Sequence, residues 1–78
     1  MTRDEFIEEC CLALQVDSGL LSEESAPDNV ENWDSMGWLS LIAMIDEKLG
    51  VGIDTEILKK VKKLGDLINI FEKQGLIK

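Results

Sequence analysis

The chain contains no histidine and no tyrosine, one proline, and two cysteines that are neighbours. Each shortage removes a class of function. Without histidine the commonest general base and proton shuttle is missing, and a Ser-His-Asp triad is impossible. Most zinc sites, built on histidine or on spaced cysteine pairs, go with it. Cys10 and Cys11 would point about 100° apart on a helix, a strained setting for a disulfide. No second pair exists to staple a small fold. Basic residues are scarce as well: eight Lys and Arg stand against sixteen Asp and Glu, for a net charge of −8. Phosphate binding needs positive charge on some face, so nucleic acid is not an expected partner. No apolar run reaches the ~20 residues that span a bilayer. The acidic start MTRDEFIEE lacks the basic-then-apolar order of a signal peptide. The expectation is a soluble, cytoplasmic, monomeric protein with no membrane partner. Its 78 residues read as one domain over 1–78, too small for a catalytic cleft between two lobes. No catalytic set is in sight, and the chain is expected not to be an enzyme.

What is present is helical periodicity. Thr2 and Glu5 have the spacing of a capping box, and Phe6, Ile7, Cys10, Cys11 and Leu14 follow at helical intervals. Both cysteines read as small core residues. From about Asp17 to Asp34 the period breaks among turn formers such as Gly19, Pro27 and Asn29. A loop this long in a small domain needs pins or a purpose, and Leu20, Leu21, Val30 and Trp33 are the expected pins. A short helical turn around Leu20–Glu24 is also conceivable. The second helix is predicted from Ser35 to about Leu49, stopped by Gly50. It is apolar nearly all round, so part of Trp38, Leu41, Ala43 and Met44 should stay accessible. Asp54 should cap a short segment through Ile57, Leu58, Val61 and Leu64, studded with Lys59, Lys60, Lys62 and Lys63. Gly65 should break that segment and Asp66 should recap a last helix ending near Gly75. The fold class is all-α: a small four-helix bundle of three main helices plus one short helix, with a long first loop.

Charge is uneven along the chain. Residues 1–49 carry twelve acids and two bases, residues 50–78 four acids and six bases. A partner with a basic surface would be drawn to the first part. The lysines of the second part read as a solvated face.

One short string stands out, DSMGWL at residues 34–39, where the loop turns into the second helix. A calcium loop from Asp28 fails, because Val30 takes an oxygen-ligand position and no Glu closes it. The scattered carboxylates support no two-carboxylate hydrolase. Ser35 is either a plain N-cap, worth ~1 kcal/mol, or a presented hydroxyl. A phosphoryl group there would meet free amides and the positive end of the helix dipole.

The stretch NVENWDSMGWLSLIAMIDEKLGVGI resembles the acyl carrier proteins. Their Asp-Ser-Leu or Asp-Ser-Met string opens the second helix of a four-helix bundle. An aliphatic residue four places after the serine, an acid-rich helix end and a Gly-x-x-Ile segment follow. Leu39, then Asp46 and Glu47, then Gly50 to Ile53 match that order, and Leu64-Gly65-Asp66-Leu67 is similar to the start of the family's last helix. The resemblance implies that Ser35 carries 4′-phosphopantetheine through a phosphodiester, flanked by Asp34 and Met36. A separate phosphopantetheinyl transferase would install it from coenzyme A. The terminal thiol would hold an acyl group as a thioester and present it to acyl-loading and acyl-accepting enzymes, which would dock on Trp38, Leu39, Asp46 and Glu47. An acyl chain sheltered between the helices is a further implication. The chain departs from the family where Gly37 and Ser40 replace early acids, where Trp38 is added, and at Lys48 and the later lysines. The Asn-Trp-Asp-Ser opening is similar to stand-alone carriers of specialised pathways, in surface-polysaccharide or secondary-metabolite assembly, rather than to housekeeping fatty-acid carriers. The alternatives are an aminoacyl carrier of D-alanyl or peptidyl type, and an unmodified helical adaptor that binds through Trp38, Leu41 and Met44.

Overall fold

The computed structural model describes residues 1–78 except for the side chain of Thr55. Four helices follow one another: α1 (Arg3–Leu14), α2 (Ser35–Leu49), α3 (Thr55–Lys60) and α4 (Leu64–Lys73). No strand occurs among the described residues.

Helices α1, α2 and α3 each start where a side chain takes up a free amide of the first turn. Thr2 and Glu5 form the predicted capping box on α1, with Thr2 Oγ1 accepting from the Glu5 amide at 3.1 Å and Glu5 returning the bond at 3.0 Å. Asp54 caps α3 by accepting from the Ile57 amide at 2.9 Å. Helix α2 spans the predicted residues and stops at Gly50, which takes φ 71° and donates its amide to the Asp46 carbonyl at 3.0 Å.

Two boundaries differ from expectation. Helix α3 ends at Lys60, so Val61 and Leu64 lie outside it. Gly65 does not break a helix; it sits in the first turn of α4. Asp66 acts from inside that turn, accepting from the Lys62 and Lys63 amides at 3.0 and 3.3 Å. The reason is tertiary. The loop carbonyls of Ser25 and Glu23 accept from the amides of Leu64 and Gly65 at 2.7 and 2.8 Å, so the loop itself covers the start of α4. A β-carbon at Gly65 would stand 3.0 Å from the Glu23 carbonyl oxygen, and only glycine permits that approach comfortably.

The long loop is pinned, though not by every expected residue. Leu21 and Trp33 are buried and Val30 is half-buried, but Leu20 is 64% exposed. The Leu20–Glu24 stretch forms a turn and not a helix. Polar contacts do the rest. Ser25 is buried and its Oγ accepts from the Ser22 amide at 2.9 Å, while Asn29 Oδ1 accepts from the Ala26 amide at 2.9 Å.

Helices α1 and α2 run antiparallel, since Gly37 at the head of α2 meets Leu14 at the end of α1, and Lys48 near the foot of α2 meets Glu9. Phe6 and Phe71 meet edge-on with centroids 5.9 Å apart, joining α1 to α4. Trp33, Leu41, Ile45, Leu67 and Ile68 complete the centre. Of the four residues expected to stay accessible in part, Ala43 is exposed and Trp38 half-buried, while Leu41 and Met44 are buried. Helical phase places them on the side of α2 that turns to the core.

Candidate functional site

Ser35 is the first residue of α2 and is exposed. It is not the cap. That role falls to Asp34, in extended conformation, whose Oδ1 accepts from the Gly37 amide at 2.9 Å. The cap thus leaves the Ser35 hydroxyl unused by the helix start. No acid lies in the first turn of α2, so the free amides there face an anion without a competing side chain inside the helix. Met36, beside the serine, is 71% exposed.

Two residues to which the sequence assigned no packing role fix this helix start in place. Asn32 donates from Nδ2 to the carbonyl of Leu14 at 3.0 Å, tying the loop to the end of α1. Gly37 lies against the Asn32 carbonyl and the Leu14 side chain, and a β-carbon there would overlap both. The signal for Gly37 was a glycine in the first turn of a helix, a costly choice unless a neighbour demands it. The departure from the family's acid at this region therefore has a packing cause.

By helical phase, Asp46, Leu39, Met36 and Glu47 fall within about 100° of one another on the outer side of α2, and Trp38 stands about 80–100° further round, toward the core. Leu39 is 60% exposed, and Asp46 and Glu47 are exposed. Trp38 is half-buried and packs on the buried Trp33, with centroids 5.2 Å apart at 59°. It anchors the loop as much as it faces solvent. Cys10 and Cys11 are both buried free thiols, as expected, and burial pushes the Cys10 thiol well up, helped by neighbouring Cys11 and Glu9. Neither is placed to act as an accessible nucleophile. The lysines at 59, 60 and 62 are exposed, and Lys63 reaches Glu24 at 3.4 Å.

Against known proteins, this four-helix arrangement has a clear counterpart. It superposes on the solution structure of a holo acyl carrier protein from Geobacter metallireducens with a TM-score of 0.79, over 94% of this chain and 85% of that one, at 23% identity. The chain has the acyl carrier protein fold. A stretch of 39 residues is also 46% identical to an acyl carrier protein homolog of Ureaplasma parvum serovar 3, covering 50% of this chain and 51% of that protein. The match thus spans about half the length of that relative. No protein-family model matches the chain. In both sequence and fold the chain resembles the acyl carrier proteins, which are carriers and not enzymes. Among the described residues, no helix is long and apolar enough to cross a membrane.

Proposed function

We propose that this protein is an acyl carrier protein that bears 4′-phosphopantetheine on Ser35. The observation that carries the proposal is the division of labour at the head of α2: Asp34 does the capping, and the adjacent hydroxyl is exposed. The residues fit such a group. Ser35 Oγ would take the phosphodiester, the amides of the first turn would favour its charge, and Met36 would flank it. When bound, the group supplies a thiol that carries the cargo as a thioester. The chain's own part is to hold the attachment point rigid, through Asn32, Gly37 and Leu14, while leaving its outer side free.

Partners in this reading are a phosphopantetheinyl transferase and the enzymes that load and unload the arm. The outer side of α2 carrying Met36, Leu39, Asp46 and Glu47, with Asp34 beside it, is the surface for the transferase, steered by charge and held by apolar contact. Rim charges act mainly on the association rate and weaken with salt, since screening sets in at ~10 Å in 0.1 M salt. The exposed lysines of α3 support a specialised pathway over a housekeeping one, because they offer a pathway enzyme a basic surface beside an otherwise acidic carrier. The adaptor alternative loses its support, since two of its three contact residues, Leu41 and Met44, are buried.

The test is intact mass after incubation with coenzyme A and a broad-specificity transferase. One phosphopantetheinyl group should be gained, mapped to Ser35, and lost in Ser35→Ala. An unmodified wild-type chain would sink the proposal.

A further inference from the structure

The long loop is tied down by polar bonds, yet it leaves one apolar hollow uncovered. A cavity of ≈ 330 Å³ opens there, with Val16, Leu20 and Val30 on its apolar part. Leu20 is exposed, and Val16 and Val30 are half-buried. A single exposed leucine needs no explanation, but three aliphatic side chains converging on one hollow define a surface. The loop is not slack at this point. Asn29 Oδ1 accepts from the Ala26 amide at 2.9 Å, and Asn32 Nδ2 donates to the Leu14 and Gln15 carbonyls at 3.0 and 3.4 Å.

The polar part of the same cavity is lined by Asn29, Glu31 and Asn32. Asn29 spends its Oδ1 on Ala26, which leaves Nδ2 to donate. Asn32 spends its Nδ2 on two carbonyls, which leaves Oδ1 to accept. Glu31 adds an exposed carboxylate acceptor. A visitor suited to this set is narrow, aliphatic on one side, and carries secondary amides: a C=O for Asn29 and N–H groups for Asn32 and Glu31. No Lys or Arg lines the hollow, so a free phosphate or carboxylate does not match it. The position in the fold supplies such a group. Asn32 also lines a second cavity, of ≈ 300 Å³, together with Asp34 and Met36, the two neighbours of Ser35. Three steps of chain separate Asn32 from Ser35, at most about 11 Å.

We propose that this loop hollow is a seat for the pantetheine part of the arm on Ser35. Val16, Leu20 and Val30 pack on its geminal methyl groups, and Asn29, Glu31 and Asn32 pair with its two amides. The proposal rests on the reading of Ser35 as the attachment point. The seat lies on the loop side of α2: Gly37, which meets Asn32, stands about 160° round the helix from Leu39. An arm held there leaves the outer side of α2 open to a partner. A short tether holds its ligand at millimolar effective concentration, so an intrinsic Kd of ~1 mM keeps the seat filled about half the time. That is loose enough for a partner enzyme to draw the arm away.

The experiment records amide and methyl chemical shifts of the isotope-labelled full chain before and after loading from coenzyme A, with intact mass reporting the load. A second titration adds free pantetheine to the unmodified chain. Loading should shift Val16, Leu20, Asn29 and Val30 as well as residues 34–36, and should give cross-relaxation between the geminal methyls and the methyls of Leu20 and Val30. Free pantetheine should shift the same loop residues and saturate in the millimolar range. Leu20→Asp, with its fold checked by circular dichroism, should lose the shifts of Val16 and Val30 in both experiments. Leu12→Asp, at an exposed position on α1, should keep them. A missing mass gain would overturn the reading of Ser35 and with it the arm as occupant, while the titration decides separately whether the hollow takes pantetheine. A full mass gain with shifts confined to residues 34–36 would overturn the seat alone. So would a titration that does not saturate or that shifts residues outside the loop. Loop shifts that grow with protein concentration in the absence of pantetheine would assign the hollow to a second copy of the chain and overturn the proposal as well.

Discussion

Helices α2 and α4 begin in opposite ways. Both place a glycine in the first turn, Gly37 and Gly65, because another segment passes too close for a β-carbon. At α4 that segment is the long loop, whose carbonyls take up the free amides of Leu64 and Gly65 and close the helix end. At α2 the neighbour, Asn32 with Leu14, sits to one side, the cap is the preceding Asp34, and the outer side of the first turn stays open. A sealed helix start is an anchor. An open one, held rigidly from the side, is a place to attach something. The same constraint, close approach at a glycine, thus serves structure in one helix and presentation in the other.

The comparison can be broken most sharply at Ser35. Ser35→Ala should abolish modification completely while shifting the unfolding midpoint little, because the cap belongs to Asp34; intact mass and thermal unfolding measure the two. Loss of the fold in this variant would mean that the hydroxyl is structural after all. Gly37→Ala should come next. Its β-carbon has backbone oxygen and Leu14 in its way, so about 1–3 kcal/mol of stability should go, as for other overpacked sites. Gly65→Ala should cost less, since its nearest obstacle is 3.0 Å away and a few tenths of an ångström of movement relieve it. Denaturant unfolding ranks the pair, and a reversed order would contradict the geometry.

Asp34→Ala should cost about 1 kcal/mol through loss of the cap, with Asp34→Asn recovering most of it. If alanine is neutral, another group caps α2. Cys10 gives a pH signature away from either helix start. Its folded thiol holds its proton more tightly than the unfolded one, so the associated stability is complete below the ordinary value of 9.0 and is lost as pH rises above it. Unfolding curves from pH 8 upward should show that decline, and Cys10→Ala should flatten it. The smallest effect belongs to Arg3, which reaches Glu23 at 3.3 Å and Glu72 at 3.0 Å on the surface. Arg3→Ala should cost at most about 1 kcal/mol, and less in high salt.

Local chemistry was legible in the sequence because it acts over three or four residues. The capping box at Thr2, the cap at Asp54, the αL stop at Gly50 and the span of α2 all follow from spacing alone. The string at residues 34–39 also marked the serine. Its role as cap or presented group was open, since Asp34 and Ser35 are both good capping residues and only the bond to the Gly37 amide separates them. What faces which way was decided by contacts between distant segments. Leu20 and Leu21 are equally apolar neighbours, yet one is exposed and the other buried. Gly65 looked like a breaker because no local signal reports a carbonyl arriving from Glu23, forty-two positions earlier.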